Sequence, residues 1–384
     1  MSPDAPKHSD PPPPGKTPED RRRNAALLAD YDYPLYPTAL TGYSGQDLQR
    51  IASLEWLPAC RTRVGPRGNY KAGLARQDDG TLVIAVCRNN NEEDPAKRRF
   101  GIFVYSSADT GLTWREIGKT ALFGKEPSLT VLPDRSLVMT AQGGYFGPGA
   151  DHDHQPVYRS EDGGVTWQTF PVKGRDYVRN LIVEDDGTLT MIRALRSDWE
   201  GKGGGSPNLE VARSTDGGKS WTADEGLVDW DYPGFGEVSS IRLPDGRLLA
   251  ALRRQIPGTV GEGFEDTVIT ESNDNGKTWA RPWQLLPCAE VHAFLTPLHN
   301  GTILATYSSY HNPWGVFAVA SSDSGRTWDL DRPFQLALSA SFYVGWGATL
   351  QLPDDSLLTS YASTSYWKQE PDKFTCEVVR WHLP

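Results

Sequence analysis

The sequence predicts an all-β chain folded as a six-bladed β-propeller. Three observations carry that expectation. Five stretches share the pattern Ser-x-Asp-x-Gly-x-x-Trp: "SADTGLTW" from Ser107, "SEDGGVTW" from Ser160, "STDGGKSW" from Ser214, "SNDNGKTW" from Ser272 and "SSDSGRTW" from Ser321. Between them runs a second repeat, a turn dipeptide followed by an apolar run: "DDGTLVIAV", "PDRSLVMTA", "DDGTLTMIR", "PDGRLLAAL", "HNGTILATY" and "PDDSLLTSY". The composition, with 38 Gly, 29 Pro and 13 Trp in 384 residues, suits many turns and strands rather than long helices.

The domain plan follows from these repeats. Residues 1–25, with "DPPPPGK" and no apolar h-region, read as a disordered Pro-rich tail rather than a secretory leader, so a cytoplasmic location is expected. Residues 26–49 read as an irregular or short helical lead-in. Residues 50–384 hold the propeller, because the six turn positions Gly80, Arg135, Gly187, Gly246, Gly301 and Asp355 recur every 52 to 59 residues and leave no room for a second domain.

Each unit takes the same course. One strand enters the Asp-Gly turn and a second leaves it. A third then reaches the Ser-x-Asp-x-Gly-x-x-Trp turn, where Gly permits positive φ, Asp accepts from turn amides and Trp packs against its own or a neighbouring blade. These five turns are read as staples of the fold. The sixth unit lacks one, and its final segment "KFTCEVVRWHLP" is expected to close the ring together with "RIASLEWLPACR" from Arg50.

A net charge of −10 argues against nucleic acid or an anionic membrane as partner, and no run is long and apolar enough for a spanning helix. Cys60, Cys87, Cys288 and Cys376 are widely spaced without a Cys-x-x-Cys pair and are read as free thiols. No cofactor is expected. The "DHDH" tetrapeptide, Asp151 to His154, is a weak metal candidate, so no metal site is assigned.

Both turn types lie at one end of the blades. Eight residues from an Asp-Gly turn, about 25 Å along a strand, the chain reaches the other end. Long polar loops collect there: "RNNNEEDPAKRR", "QGGYFGPGADHDHQP", "RSDWEGKGGGSPN", "RRQIPGTVGEGFED" and "SYHNPWG". Such loops on one face are the usual place for a site. Counting eight back from each turn Asp or Asn gives the residue that enters the innermost strand beside the axis. These are Lys71, Glu126, Val178 with Arg179 beside it, Glu237, His292 and Trp346. Four of the six are ionisable, which favours a site over a merely structural channel.

Five such turns in a six-unit array resemble the Asp-box, or BNR-repeat, sialidase superfamily, over nearly the whole chain beyond residue 50. The resemblance implies a sialidase-like propeller and a glycan or oligosaccharide partner. In "GEVSSIRLPDGRLLAALRR", Glu237 and Arg253 fall where the family has a Glu that pairs with a nucleophilic Tyr and an Arg that grips a carboxylate. Asp94 falls near the family's general acid, with Glu92 and Glu93 as rivals. The chain also departs from the family. "NYKAGLA" puts Lys71 or Tyr70 where the first Arg stands, no Arg lies between Arg281 and Arg326, and Trp346 holds the place of the nucleophilic Tyr, with Tyr343 three residues away.

The expected function is therefore a divergent, exo-acting glycoside hydrolase on a non-reducing terminal sugar, with an acidic sugar among the candidates. Hydrolysis needs two carboxyl groups flanking the glycosidic oxygen. Glu237 as nucleophile or base, with Asp94 or Glu126 as acid, is the preferred pair, and Tyr343 is a further catalytic candidate. Arg253, Lys71, Arg88, Arg179, His292, His311 and Trp346 are the candidate substrate-binding residues. Tyr145, Phe235 and Trp314 are further stacking candidates, though ordinary packing explains any one of them. Two alternatives stay open: a lyase acting beside a uronate with a His or Tyr base such as His292, His311 or Tyr310, and a non-catalytic glycan-binding propeller. The oligomeric state is not legible in the sequence.

Overall fold

The computed structural model describes residues 59–89, 100–142, 154–174, 178–196, 205–228, 235–255, 265–287, 289–310, 314–339, 343–364 and 373–384. These residues form six antiparallel sheets, the blades of a propeller. From the axis outward, blade one is Tyr70–Arg76, Leu82–Asn89, Phe100–Ser107 and Arg115–Glu116. Blade two is Lys125–Val131, Leu137–Gln142, His154–Ser160 and Gln168–Lys173. Blade three is Ile182–Val183, Leu189–Arg196, Gly205–Ser214 and Thr222–Val228. Blade four is Phe235–Arg242, Leu248–Gln255, Glu265–Ser272 and Trp283–Leu286. Blade five is Glu290–Pro297, Ile303–Ser309, Gly315–Ser321 and Phe334–Leu338. The short strand Thr278–Trp279 runs parallel to the outer strand of blade three and ties blade four to it.

Blade six mixes the two ends of the described chain. Its inner strands are Thr349–Gln351, Leu357–Thr364 and Phe374–Trp381, and its outermost strand is Cys60–Val64. Cys60 pairs with Arg380 and Val64 with Cys376, so the ring is closed by hydrogen bonds between chain ends. The closing strand overlaps the expected segment from Arg50. Residues 1–58, with the expected tail and lead-in, lie outside the described residues. Cys60, Cys87 and Cys376 are free thiols, and Cys288 lies outside the described residues.

The apolar runs explain how blades stack. Second strands such as Leu82–Asn89 are buried on both faces, so they read as continuous apolar segments. Alternate side chains serve opposite neighbours. Leu82 and Ile84 pack with Leu358 and Val378 of blade six, while Val83 and Ala85 pack with Leu137 and Met139 of blade two. The same alternation continues round the ring, for example Leu248 toward Leu209 of blade three and Leu249 toward Ile303 of blade five. Each fully buried Leu or Ile in these layers stabilises by about 1.5–3 kcal/mol relative to exposure.

The Ser-Asp turns behave as staples. In the second, Ser160 Oγ donates to Asp162 Oδ1 at 2.9 Å and accepts from Gly164 N at 2.8 Å. Asp162 also accepts from Thr166 N and Thr166 Oγ1 at 2.8 and 2.6 Å, and Trp167 Nε1 donates to Gly164 O at 2.9 Å. Gly164 has φ +96° and lies against Val104 and Val83 of the preceding blade, so its lack of a Cβ serves both conformation and close packing. Trp167 joins the apolar layer between blades one and two.

Candidate active site at the hub

The residues predicted at the entry of each innermost strand do converge on the axis. All but one share an uncommon backbone. Lys71, Glu126, Glu237, His292 and Trp346 have φ of 54°, 55°, 47°, 61° and 52°. Each sits in a bulge that gives the inner strand one residue more than its partner. Tyr70 pairs with Cys87 but Gly73 with Ala85, and the pairings skip likewise between Lys125 and Ser128, Gly236 and Ser239, and Val291 and Phe294. In blade six Gly345 faces Ala362 while Thr349 faces Thr359. A bulge bends the strand and re-aims a side chain. Non-Gly residues in this region cost on the order of 1–3 kcal/mol each, and such strain clusters at functional sites.

Blade three is the exception. Val178 forms a parallel bridge with Val238 of blade four, and Arg179 N donates to Val238 O at 2.9 Å. The Arg179 side chain then crosses the axis, its Nη2 donating to Gly347 O of blade six at 2.7 Å. Glycine at 347 is required there, because a Cβ would stand 2.0 Å from Ser360 O.

Two buried ion-pair groups result. In the first, Lys71 Nζ donates to Glu126 Oε1, and the ammonium lies 4.3 Å from the centroid of the Trp346 ring. Burial opposes the Lys71 charge, but Glu126, Tyr343 and Glu237 outweigh it and its pKa is raised. In the second group, Arg253 is a fork. Its Nη1 donates to Glu237 Oε1 at 2.7 Å and its Nη2 to Glu265 Oε2 at 2.5 Å. Burial disfavours the charge, yet Glu265 and Glu237 hold the Arg253 pKa well above the ordinary value.

His292 bridges this fork to an aromatic wall. Its Nε2 lies 3.1 Å from Arg253 Nη1, 3.2 Å from Glu237 Oε2 and 3.3 Å from Tyr310 OH. A guanidinium only donates and a carboxylate only accepts, so Nε2 serves either Arg253 as acceptor or Glu237 as donor according to the tautomer, and Nδ1 faces Ser308 Oγ at 3.1 Å. Burial, then Arg253, Arg179, Lys71 and Lys125, push the His292 pKa well below 6.5, so the imidazole is neutral. Its ring lies 4.8 Å from Trp346, which in turn lies 4.5 Å from Tyr343.

Of the sequence-predicted residues, Glu237, Arg253, His292, Lys71, Glu126, Trp346, Tyr343 and Arg179 are thus brought together. Arg88 stands apart. Its Nε and Nη2 donate to Asn69 Oδ1 at 2.9 and 2.7 Å, and its guanidinium stacks on Phe103 at 3.9 Å. Asp94, with Glu92 and Glu93, and His311 and Tyr145 lie outside the described residues, as does the Phe235 side chain. So do Asp151 to Asp153 of the acidic–histidine tetrapeptide. Among the described residues no three His, Cys, Asp or Glu side chains gather to hold a metal.

Sequence reasoning missed Glu265. It is fully buried and opposes Gln255 across the hairpin, next to the Arg254–Asp266 pairing. The signal was present as mirrored charge: "RRQ" on one strand and "EDT" on the next. Lys125 was also missed. It is half-buried beside Glu126, 5.6 Å from the Phe100 ring centroid.

The floor of the hub holds a small cavity, with room for about one water-sized group, lined by Lys71, Glu126, Ser128, Arg179, Phe294 and Trp346, among others.

A scan against protein-family models finds no match. Among curated proteins, a sialidase of Micromonospora viridifaciens is 29% identical over 182 residues, 40% of this chain and 28% of that protein. A xyloglucanase of a Paenibacillus species is 27% identical over 134 residues, 34% of this chain and 12% of that protein. The matched stretches thus span well under half of those relatives. Among solved structures, the alpha-L-arabinofuranosidase of Fusarium graminearum superposes with a TM-score of 0.60 at 18% identity, over 84% of this chain and 97% of that one. The NanB sialidase of Streptococcus pneumoniae does so with a TM-score of 0.58 at 10% identity, over 89% and 73%.

The chain has the fold of a sialidase-like propeller. Within this sialidase-like frame the departures seen in the sequence become geometry. Lys71 sits against Glu126 and Trp346, and Trp346 fills the hub position in blade six with Tyr343 against its ring. The nearest cations to Glu237 come from Arg253 and, across the hub, from Lys71 and Arg179.

Proposed function

We propose that this chain is a glycoside hydrolase that removes a non-reducing terminal sugar, with Glu237 as nucleophile or base. The observation that carries the reading is the bulged backbone at Lys71, Glu126, Glu237, His292 and Trp346, which brings charged and aromatic groups from five blades to the hub, where Lys71, Glu126 and Trp346 line one small cavity. Arg253 anchors Glu237 Oε1 and leaves Oε2 on the His292 side. Trp346 and Tyr343 supply aromatic faces for the apolar side of a sugar. Glu126 is taken up by Lys71, which favours Asp94 of the first long loop as proton donor. The sialidase, xyloglucanase and arabinofuranosidase likenesses support glycoside hydrolysis as the reaction class.

The test is a panel of sialosides, arabinosides, other neutral glycosides and uronic-acid oligomers, with products analysed by mass and ultraviolet absorbance. A released monosaccharide upholds the reading, and loss of that release in Glu237→Gln assigns the residue. No product from any member would overturn it. A second reading, uronate-directed elimination, is favoured by one observation: neutral His292 lies 3.3 Å from Tyr310 OH and beside Arg253, a base, an acid and a cation in one place. An unsaturated product would select it.

A further inference from the structure

Two polar atoms at the floor of the hub stand out. Arg179 Nε and Glu126 Oε2 are buried and have no hydrogen-bond partner among the described residues. Both residues are more than nine-tenths buried, and both line the same cavity. One atom can only donate and the other can accept. A buried donor or acceptor left unmet costs about 1–3 kcal/mol. The two demands are complementary, and the cavity that both residues line is bounded on another side by Trp346 and Phe294.

We propose that this floor reads one hydroxyl group of a neutral sugar, which accepts from Arg179 Nε and donates to Glu126 Oε2. The inference rests on the hydrolase reading for the site as a whole and adds the substrate class. Charge decides against an acidic arm. Lys71 is already matched by Glu126 Oε1, and a carboxylate brought to Arg179 would meet Glu126 Oε2 as a like charge. A cationic arm would meet Lys71 and Arg179. A hydroxyl meets both demands without adding charge. Water can meet the same two atoms, so exchange for a hydroxyl is close to neutral for these bonds, and the gain comes from the ring against the aromatic wall.

Burial and the rigid crossing of Arg179 to Gly347 O make the donor direction fixed rather than adaptable. Sites that hydrogen-bond a substrate hydroxyl discriminate strongly against the analogue lacking it, because their own groups are then left unpaired.

The experiment compares twin glycosides that differ only in a hydroxymethyl or carboxylate arm, then a set of monodeoxy analogues of the preferred sugar, on wild type and Arg179→Met. Neutral twins are expected to win. One deoxy position should cost about 100-fold or more in kcat/KM on wild type. That penalty should shrink to less than about 5-fold in Arg179→Met, whose fold is checked by its melting temperature. The deoxy series on wild type stands by itself if the variant is unstable. Preference for the carboxylate twin overturns the inference and leaves the hydrolase reading intact. So does a deoxy series with no position that stands out, or a penalty that persists in Arg179→Met. If neither twin is cleaved, calorimetry with the free monosaccharides decides. Binding of the neutral sugar upholds the floor while the hydrolase reading falls, and no binding overturns both.

Discussion

The two ends of the propeller handle charge in opposite ways. At the turn end, carboxylates such as Asp109, Asp162 and Asp323 stay near water and are saturated by hydrogen bonds from their own loops. Positive φ is taken up there by glycines, as at Gly111, Gly164 and Gly325, and by turn residues near the surface, Thr110, Arg135, Asn275, Ser324 and Asp355. At the hub end, Lys71, Glu126, Glu237 and His292 take positive φ themselves, are nearly dry, and lean on partners from other blades. Arg253 holds Glu237 and Glu265 within blade four, and His292 of blade five meets both Arg253 and Glu237. The turn end is built from local contacts and adds stability. Positive φ on non-Gly residues is common to both ends; what the hub end adds is charge held away from water, a pattern that marks a site rather than a scaffold.

That contrast can be broken from the hub side with the largest effect. Gly73 lies on the inner strand of blade one, where a Cβ would stand 2.4 Å from Pro127 O and 2.8 Å from Ser128 Cα. Gly73→Ala should therefore force blades one and two apart at the axis and cost about 3 kcal/mol or more, read by urea denaturation. A loss below about 1 kcal/mol would mean the hub is looser than described. Next in size, Arg253→Lys should lower kcat/KM about 100-fold, because an ammonium cannot serve Glu237, Glu265 and His292 in one fork. Glu265→Gln should act through Arg253 and cost about 10-fold in kcat with little change in KM.

From the turn side the effects are smaller and purely structural. Asp216 accepts from Ser214 Oγ, Lys219 N, Ser220 N and Ser220 Oγ. Asp216→Ala should cost about 1–2 kcal/mol and leave kcat unchanged. The smallest effect is a pH dependence. Hydrogen bonds from Thr113 and Thr278, first their hydroxyls and then their amides, hold Asp109 and Asp274 at about 2. Slight burial works against this at Asp216 and Asp323, but bonds from Ser220 and Thr327 bring them to about 2 as well. Folded values below the unfolded value of about 3.9 give stability that is whole above pH 4 and is lost as pH falls toward 2. His292 adds in the same direction over a higher window: it is buried neutral, so its contribution is present above pH 6.5 and declines below it. A urea midpoint that stays flat from pH 7 to pH 2 would contradict both.

Much of the fold was legible because each blade repeats the same local chemistry. Asp-Gly dipeptides, apolar runs and Ser-Asp turns are short-range signals, and their spacing alone placed six units. Counting eight residues from each turn found the hub because the extra bulge residue recurs in five blades. The bulge itself was hidden, since Lys, Glu, His and Trp occupy a conformation that sequence assigns to glycine. Glu265 was hidden for another reason: it reaches Arg253 from the facing strand, and the polar sequence of residues 256–264 between the two strands interrupts the apolar pattern. The crossing of Arg179 to Gly347 depends on blades three and six facing each other over the axis, a relation no local pattern carries.

The most direct measurement pairs turnover with binding for Glu237→Gln on the sugar that the wild type cleaves best. With the hub as the reacting centre, kcat should fall about 1,000-fold while the dissociation constant for that sugar changes by less than about 5-fold. Turnover within a few-fold of wild type, with Arg253 and His292 still in place, would contradict the assignment of the hub as the reacting centre.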